Sequence, residues 1–182
     1  MIPLTCIKHT VSLRRKIAAS RERLYRVALA WCGDAMLADD LVQETLTQAL
    51  QKVHQLRDRD RLYAWLYSIL NNRWKQYLRS RRPHDELNMD QPYEGPGPES
   101  VVEHLETIAR IRRAVSTLPL DQRRVLALVS LEGFSYSEVA DILEIPAGTV
   151  MSRLHRARKQ LIELLETNNA SQIQAPTLKR VK

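Results

Sequence analysis

Residues 133–158, GFSYSEVADILEIPAGTVMSRLHRAR, leave this part of the chain little freedom of local fold. Ser135, followed three residues later by Glu138, spells a capping box in which each side chain satisfies a backbone N–H left over at a helix start. Val139, Ala140, Ile142 and Leu143 then give a first helix its apolar face. Glu144, Ile145 and Pro146 break the pattern, because proline has no N–H with which to continue a helix. Apolar residues resume at Val150, Leu154, Ala157 and Leu161, so one face of a second helix packs inward. Gly133 can end the helix before this unit, since glycine enters left-handed backbone without a Cβ penalty. The outer face of the second helix carries Met151, Ser152, His155, Arg156 and Lys159. Two short helices about a tight turn, the second studded with basic groups, have the layout of a helix-turn-helix, whose second helix enters the DNA major groove. An ordinary pair of antiparallel helices with a solvated basic face fits the same spacing.

The rest of the chain is also helical by pattern. Five glycines, one phenylalanine and no period-2 alternation of β-branched residues in 182 positions predict an all-α protein. That length holds one large domain or two small ones, each able to bury a core. A net charge of +7 and a pI of about 9.7 suit a polyanionic partner without identifying it. Cys6 and Cys32 form no CxxC pair, so reduced thiols are expected, with Cys32 a small buried hydrophobe. Cys6 and His9 have a metal-like spacing, but a lone pair of this kind is not a site, and no metal or cofactor is expected. The N-terminus lacks the apolar core of a signal peptide, and no run approaches the roughly 18 residues that span a bilayer. A cytoplasmic protein without membrane insertion is expected. No phosphate loop, nucleophile–His–acid pattern or metal cluster is present in the sequence, which argues against an enzyme.

Charge is distributed in blocks. Residues 83–109 contain no Lys or Arg but seven acids, Asp85, Glu86, Asp90, Glu94, Glu99, Glu103 and Glu106. Pro92, Gly95, Pro96, Gly97 and Pro98 fall in the same stretch, and the composition reads as an extended acidic linker over 83–100. It separates two small helical domains, an N-terminal helical bundle over 21–82 and a helix-turn-helix domain over 101–166. Residues 1–20 form an extension, and 167–182 a polar tail expected to be disordered.

Two further segments carry functional patterns. In 36–53, Leu37, Leu41, Val42, Thr45, Leu46, Ala49, Leu50 and Val53 repeat at helical spacing and form a core face. Asp39, Asp40, Gln43, Glu44, Thr47 and Gln48 lie toward the exposed side, where the acids either complement the helix dipole or meet a partner. In 61–82, Leu62, Leu66, Ile69 and Leu70 are core by spacing, while Tyr63, Tyr67, Asn71, Asn72 and Trp74 mix with Arg73, Lys75, Arg79, Arg81 and Arg82. Amides and aromatics among cations suit a single nucleic-acid strand, since rings stack on bases, amides read their edges and cations follow phosphates. The alternative is that the aromatics are core, and for Trp65 that reading is favoured.

Taken together, these residues resemble a bacterial RNA polymerase sigma factor of the extracytoplasmic-function (ECF) group of the sigma-70 family. DDLVQETLTQAL resembles the family's core-polymerase-binding helix, and YAWLYSILNNRWKQYLRSRR the helix that melts and reads the start-proximal promoter element. The stretch over 118–161, beginning LPLDQRRVLALVSLEGFSY, resembles the domain that reads the upstream element. The resemblance implies that Asp39, Asp40, Leu41, Gln43 and Glu44 contact the largest polymerase subunit. It implies that Asn71, Asn72, Lys75, Gln76, Arg79 and Arg82 hold the unstacked nontemplate strand. For the upstream element it implies that Met151, Ser152, His155, Arg156 and Lys159 face the groove, with Tyr136, Thr149 and Arg153 on phosphates. Partners implied are core RNA polymerase, promoter DNA and, as for many relatives, an anti-sigma protein that is often membrane-bound. The acidic linker is expected to run through the polymerase channel.

Two departures stand out. Leu46 and Leu50 occupy positions where many relatives have a Phe and a Trp, and Met151 stands where Lys or Arg is common. Competing readings are a stand-alone helix-turn-helix regulator that binds operator DNA without polymerase, and a helical adaptor or RNA-binding protein. The first explains the C-terminal half but leaves DDLVQET and the Asn/aromatic helix unused, while for the second the basic helices would suffice.

Overall fold

In the computed structural model, residues 4–56, 58–80 and 99–172 are described, with side chains for 12–56, 58–80 and 107–166. The expected linker over 83–100 and the position of Arg82 therefore lie almost wholly outside the described residues. The elements are α1 (Leu4–Ala19), α2 (Arg21–Cys32), α3 (Ala35–Gln51), a 3₁₀ turn (Val53–Gln55), α4 (Leu62–Ser80), α5 (Glu99–Ser116), α6 (Leu120–Ser130), α7 (Tyr136–Leu143) and α8 (Ala147–Gln172). Among the described residues there is no strand.

Local sequence explains most of the breaks. Gly33 sits at φ 72° and its N–H donates to the Leu29 carbonyl at 2.8 Å, which ends α2 in the left-handed conformation that glycine adopts cheaply. Asp34 at once starts α3, its carboxylate accepting from the Leu37 N–H at 3.0 Å. The capping box at the start of α7 is formed in both directions, and the two hydrogen bonds from Ser135 hold the Glu138 carboxyl below its usual range. Helix α7 ends on Glu144 at φ 57°, the one non-glycine residue at positive φ among the described residues. Pro146 precedes α8, where its missing N–H costs nothing.

The four N-terminal helices share one core. Val27, Ala28 and Trp31 of α2, Ala38, Val42 and Ala49 of α3, and Leu66, Leu70 and Trp74 of α4 are all buried. Thr45 belongs to the same stripe because its hydroxyl donates to the Leu41 carbonyl at 2.7 Å, leaving its methyl to pack. Residues 1–20, set apart above as an extension, instead contribute α1, whose Leu13 and Ile17 enter this core. Helix α8 likewise continues through Gln172, beyond the boundary expected at 166.

The C-terminal half builds its core from Val125 and Leu128 of α6, Val139, Ile142 and Leu143 of α7, and Val150, Leu154 and Ala157 of α8. The two halves do not stand apart. Helix α2 packs on α6 and α4 on α7, so one continuous core runs through both. The sequence predicted two small helical domains joined by a linker; nothing in its periodicity says whether the domains also pack on each other.

Candidate polymerase and nucleic-acid interfaces

Helix α3 presents one solvent face. Met36, Asp40, Gln43, Glu44, Thr47 and Leu50 are exposed along it, Met36 at 82%. Asp39 is only partly exposed and already engaged, accepting from Gln43 at 2.8 Å and from Arg21 of α2. Leu41 corrects the expectation drawn for it. At 3% exposure it packs inward, so it anchors the helix that displays Asp40 and cannot itself meet a partner. Met36 was not singled out by pattern. Only its exposure marks it, because a methionine at helical spacing ordinarily reads as core.

Arg73 joins this face to α4. Its guanidinium donates to Gln48 at 2.9 Å and to Gln76 at 3.1 Å, and lies 3.9 Å from Glu44. The acidic face of α3 and the polar face of α4 are thus fixed relative to each other.

On α4 the expected single-strand reader divides into two faces. Asn72, Gln76 and Arg79, spaced four and three residues apart, are solvent-exposed. Asn71 and Lys75 point instead toward the C-terminal half. Asn71 is fully buried, its amide donating to the Ile142 carbonyl at 2.9 Å and its oxygen accepting from Arg124. In this arrangement Asn71 cannot touch DNA, since both ends of its carboxamide are occupied. Lys75 is paired with Glu144 at 2.9 Å. The aromatics also resolve toward core. Tyr67 and Trp74 are fully buried, Tyr67 in an edge-on contact with Phe134 at 5.4 Å, so neither offers a stacking platform. Burial and the neighbouring Glu132 carboxylate push the Tyr67 phenol well above its usual range. Trp65 is half-buried, and Tyr63 lies under the Arg23 guanidinium at 3.9 Å.

Helix α8 keeps its expected outer face. Met151 is 51% exposed, and Ser152, His155, Arg156 and Lys159 are exposed beside it. Tyr136, at the start of α7, is 40% exposed, and Thr149 half-buried. Arg153 is held at 2.7 Å by Asp121, which pins α8 to α6. Its charge is therefore partly spent within the fold.

A second set of polar groups was not legible at all. Arg123 and Arg124 of α6 are buried, and burial lowers the pKa of both guanidiniums. The Glu132 side chain is fully buried and paired with Arg23 of α2 at 2.7 Å. All of these groups sit between the halves. The only sequence signal was an adjacent Arg pair interrupting the apolar run LDQRRVLALV. Cys32 matches its expectation, since burial pushes its thiol up to about 11 and its Sγ donates to the Asp34 carbonyl at 3.2 Å. Among the described residues no group of three or more His, Cys, Asp or Glu could hold a metal, and no helix is long and apolar enough to cross a membrane.

Comparison with known proteins covers both halves in order. The family model for sigma-70 region 2 matches residues 17–84, and that for sigma-70 region 4 matches 108–161. The chain is 40% identical over 166 residues to the ECF RNA polymerase sigma factor EcfG of Rhodopseudomonas palustris, covering 88% of this chain and 89% of the relative. It is 33% identical to the RNA polymerase sigma-H factor of Pseudomonas aeruginosa, with 80% and 82% covered. Among solved structures it is similar to the sigma factor RpoE of Bartonella quintana in complex with the anti-sigma factor NepR. There the TM-score is 0.72, with 28% identity and 85% and 97% of the two chains covered. It is also similar to CnrH in complex with the cytosolic domain of CnrY, with a TM-score of 0.61, 26% identity and coverage of 85% and 88%.

Proposed function

The chain belongs to the ECF group of the sigma-70 family and is an alternative sigma factor that directs core RNA polymerase in transcription initiation, and we propose how its residues divide that work. The α3 face of Met36, Asp40, Gln43 and Glu44 docks on core polymerase. Asn72, Gln76 and Arg79 hold the nontemplate strand at the start-proximal element, with Asn71 and Lys75 joining them once uncovered. The outer face of α8 reads the upstream duplex, Tyr136 and Thr149 fixing its register on phosphates, since phosphate contacts position and base contacts specify. What supports this division is burial. Asp40, Gln43 and Glu44, then Asn72, Gln76 and Arg79, then Ser152, His155 and Arg156 are exposed on three separate faces, while Tyr67 and Trp74, interleaved with the second set, are core. The DNA-binding residues include no catalytic group, and none is required. Unstacking a base costs a few kcal/mol, which contacts to the captured base offset.

Run-off transcription with core polymerase tests the assignment of α4. The double variant Asn72→Ala, Arg79→Ala is expected to lose most product from duplex promoters and to recover it on templates pre-opened by mismatches at the start-proximal element. Normal activity on duplex templates would refute the assignment.

Met151 gives the recognition helix a distinctive preference. An exposed thioether has no donor for guanine but can cover the methyl group of thymine. Replacing upstream-element thymines by deoxyuridine, which removes only that methyl, is expected to weaken the wild-type chain by about 0.8 kcal/mol at the contacted position. A Met151→Ala variant is expected to bind both templates alike. Equal sensitivity of the two proteins in promoter-binding titrations would exclude the contact. An anti-sigma antagonist belongs to the same reading, supported by the NepR-bound relative of similar fold.

A further inference from the structure

We infer that Arg73 is a positioning residue for base selection at the start-proximal element. It turns the Gln76 carboxamide so that its N–H end meets the nontemplate strand. A base with a keto oxygen, guanine or thymine, is then favoured over adenine or cytosine, which carry an amino group instead. The inference rests on the assignment of Gln76 made above and names what that side chain selects.

Arg73 is held at two points. Its backbone belongs to α4, and its Nε donates to the Gln48 side-chain oxygen of α3 at 2.9 Å. The packing of α3 on α4 therefore sets where the guanidinium lies. Glu44, 3.9 Å away, adds a looser ion pair. From this position Nη1 donates to the Gln76 Oε1 at 3.1 Å, one helical turn further along α4. A glutamine carboxamide carries a donor at one end and an acceptor at the other, so its orientation decides what it can read. The guanidinium fixes that orientation. It has donors and no acceptor, so the end of Gln76 beside it must be the oxygen. Nε2 sits on the other branch of the carboxamide, and the Gln76 side chain is exposed.

A glutamine free to turn reads adenine with both ends, the oxygen on N6 and the nitrogen on N7. That contact needs both ends aimed together at one base, and here the oxygen is aimed at Arg73. What remains for the strand is a donor. Guanine O6 and N7 and thymine O4 accept from it, whereas adenine N6 and cytosine N4 are donors themselves and oppose it. In a single strand these edges are open to a side chain, because the bases are unpaired. Arg73 is half-buried between two helices and commits Nε and Nη1 within the fold, so it acts through Gln76.

Run-off transcription with core polymerase is measured from promoters in which each start-proximal position carries each base in turn. Ratios between templates are taken for one protein at a time, so that any change in core affinity cancels. The wild-type chain is expected to favour guanine or thymine over adenine or cytosine at one position, by about fivefold or more. Arg73→Met keeps the apolar stem, removes every donor, and is expected to bring that ratio close to one at this position alone. Gln76→Glu puts an acceptor where the N–H end stood and is expected to invert the preference there. It is also the second variant should Arg73→Met fail to fold. A loss uniform over all templates is the signature of a charge acting on phosphates, and in Arg73→Met it would overturn the proposal. An unchanged ratio in either folded variant overturns it as well, as does a wild-type chain with no such position. If Asn72→Ala, Arg79→Ala transcribes duplex promoters normally, the assignment of α4 has failed and the proposal with it. If Gln76→Ala flattens the preference at one position while Arg73→Met does not, only the positioning role is refuted.

Discussion

Asp40→Lys is expected to abolish capture of core RNA polymerase and leave the fold untouched. Asp40 is exposed in the middle of the α3 face, with Met36 one turn before it and Gln43 and Glu44 one turn after. An exposed substitution of this kind normally changes stability by no more than about 0.5 kcal/mol. Losing one partner of a charge pair at an interface costs about 2–5 kcal/mol, and reversing the charge adds repulsion. The expected loss of affinity for core is therefore at least about thirtyfold, measured by anisotropy of labelled chain against core, with an unchanged circular-dichroism melt. Leu41→Ala should behave in the opposite way, lowering the melt because Leu41 is buried. Unchanged core affinity in Asp40→Lys would remove α3 as the docking helix.

Trp74→Ala is expected to have the largest effect on stability. The indole is fully buried in the N-terminal core and stacked on Tyr77, with centroids 5.5 Å apart. Truncating a buried Trp to Ala removes its apolar contacts and leaves a cavity, at a cost of about 3–5 kcal/mol. Set against a total stability of about 5–15 kcal/mol, that loss brings a marginal domain close to unfolding. Urea denaturation followed by circular dichroism should show the midpoint falling. A change below about 1 kcal/mol would mean that Trp74 is not core, and would reopen a stacking role on DNA. Asn72, one face away and exposed, gives the contrast: Asn72→Ala should not shift the midpoint.

These two residues show where sequence reasoning reached and where it stopped. Asp40 was legible because the apolar stripe of α3 defines an opposite face, and an acid lying on it must meet water or a partner. Trp74 was not, because an aromatic among arginines fits a stacking platform and a domain core equally well. Asn71 and Asn72 are adjacent in sequence, yet one is buried against Ile142 and the other open to solvent. Successive helical residues point about 100° apart, and nothing local says what stands in either direction.

The sequence by itself determined the all-helical character, the capping box at Ser135, the turn at Pro146, and the outward face of α8. Each follows from backbone chemistry or from a period of 3.6 within a single segment. The family also followed from the sequence, through three motifs in fixed order. Only the tertiary structure decided that the halves pack together, that Arg23 and Glu132 clasp them, and that α7 packs on α4 over Asn71. These are contacts between residues as many as 109 positions apart, as Arg23 and Glu132 are. Such pairings depend on which surfaces meet. A polar residue chosen for that meeting looks, in the linear chain, like any other solvated charge.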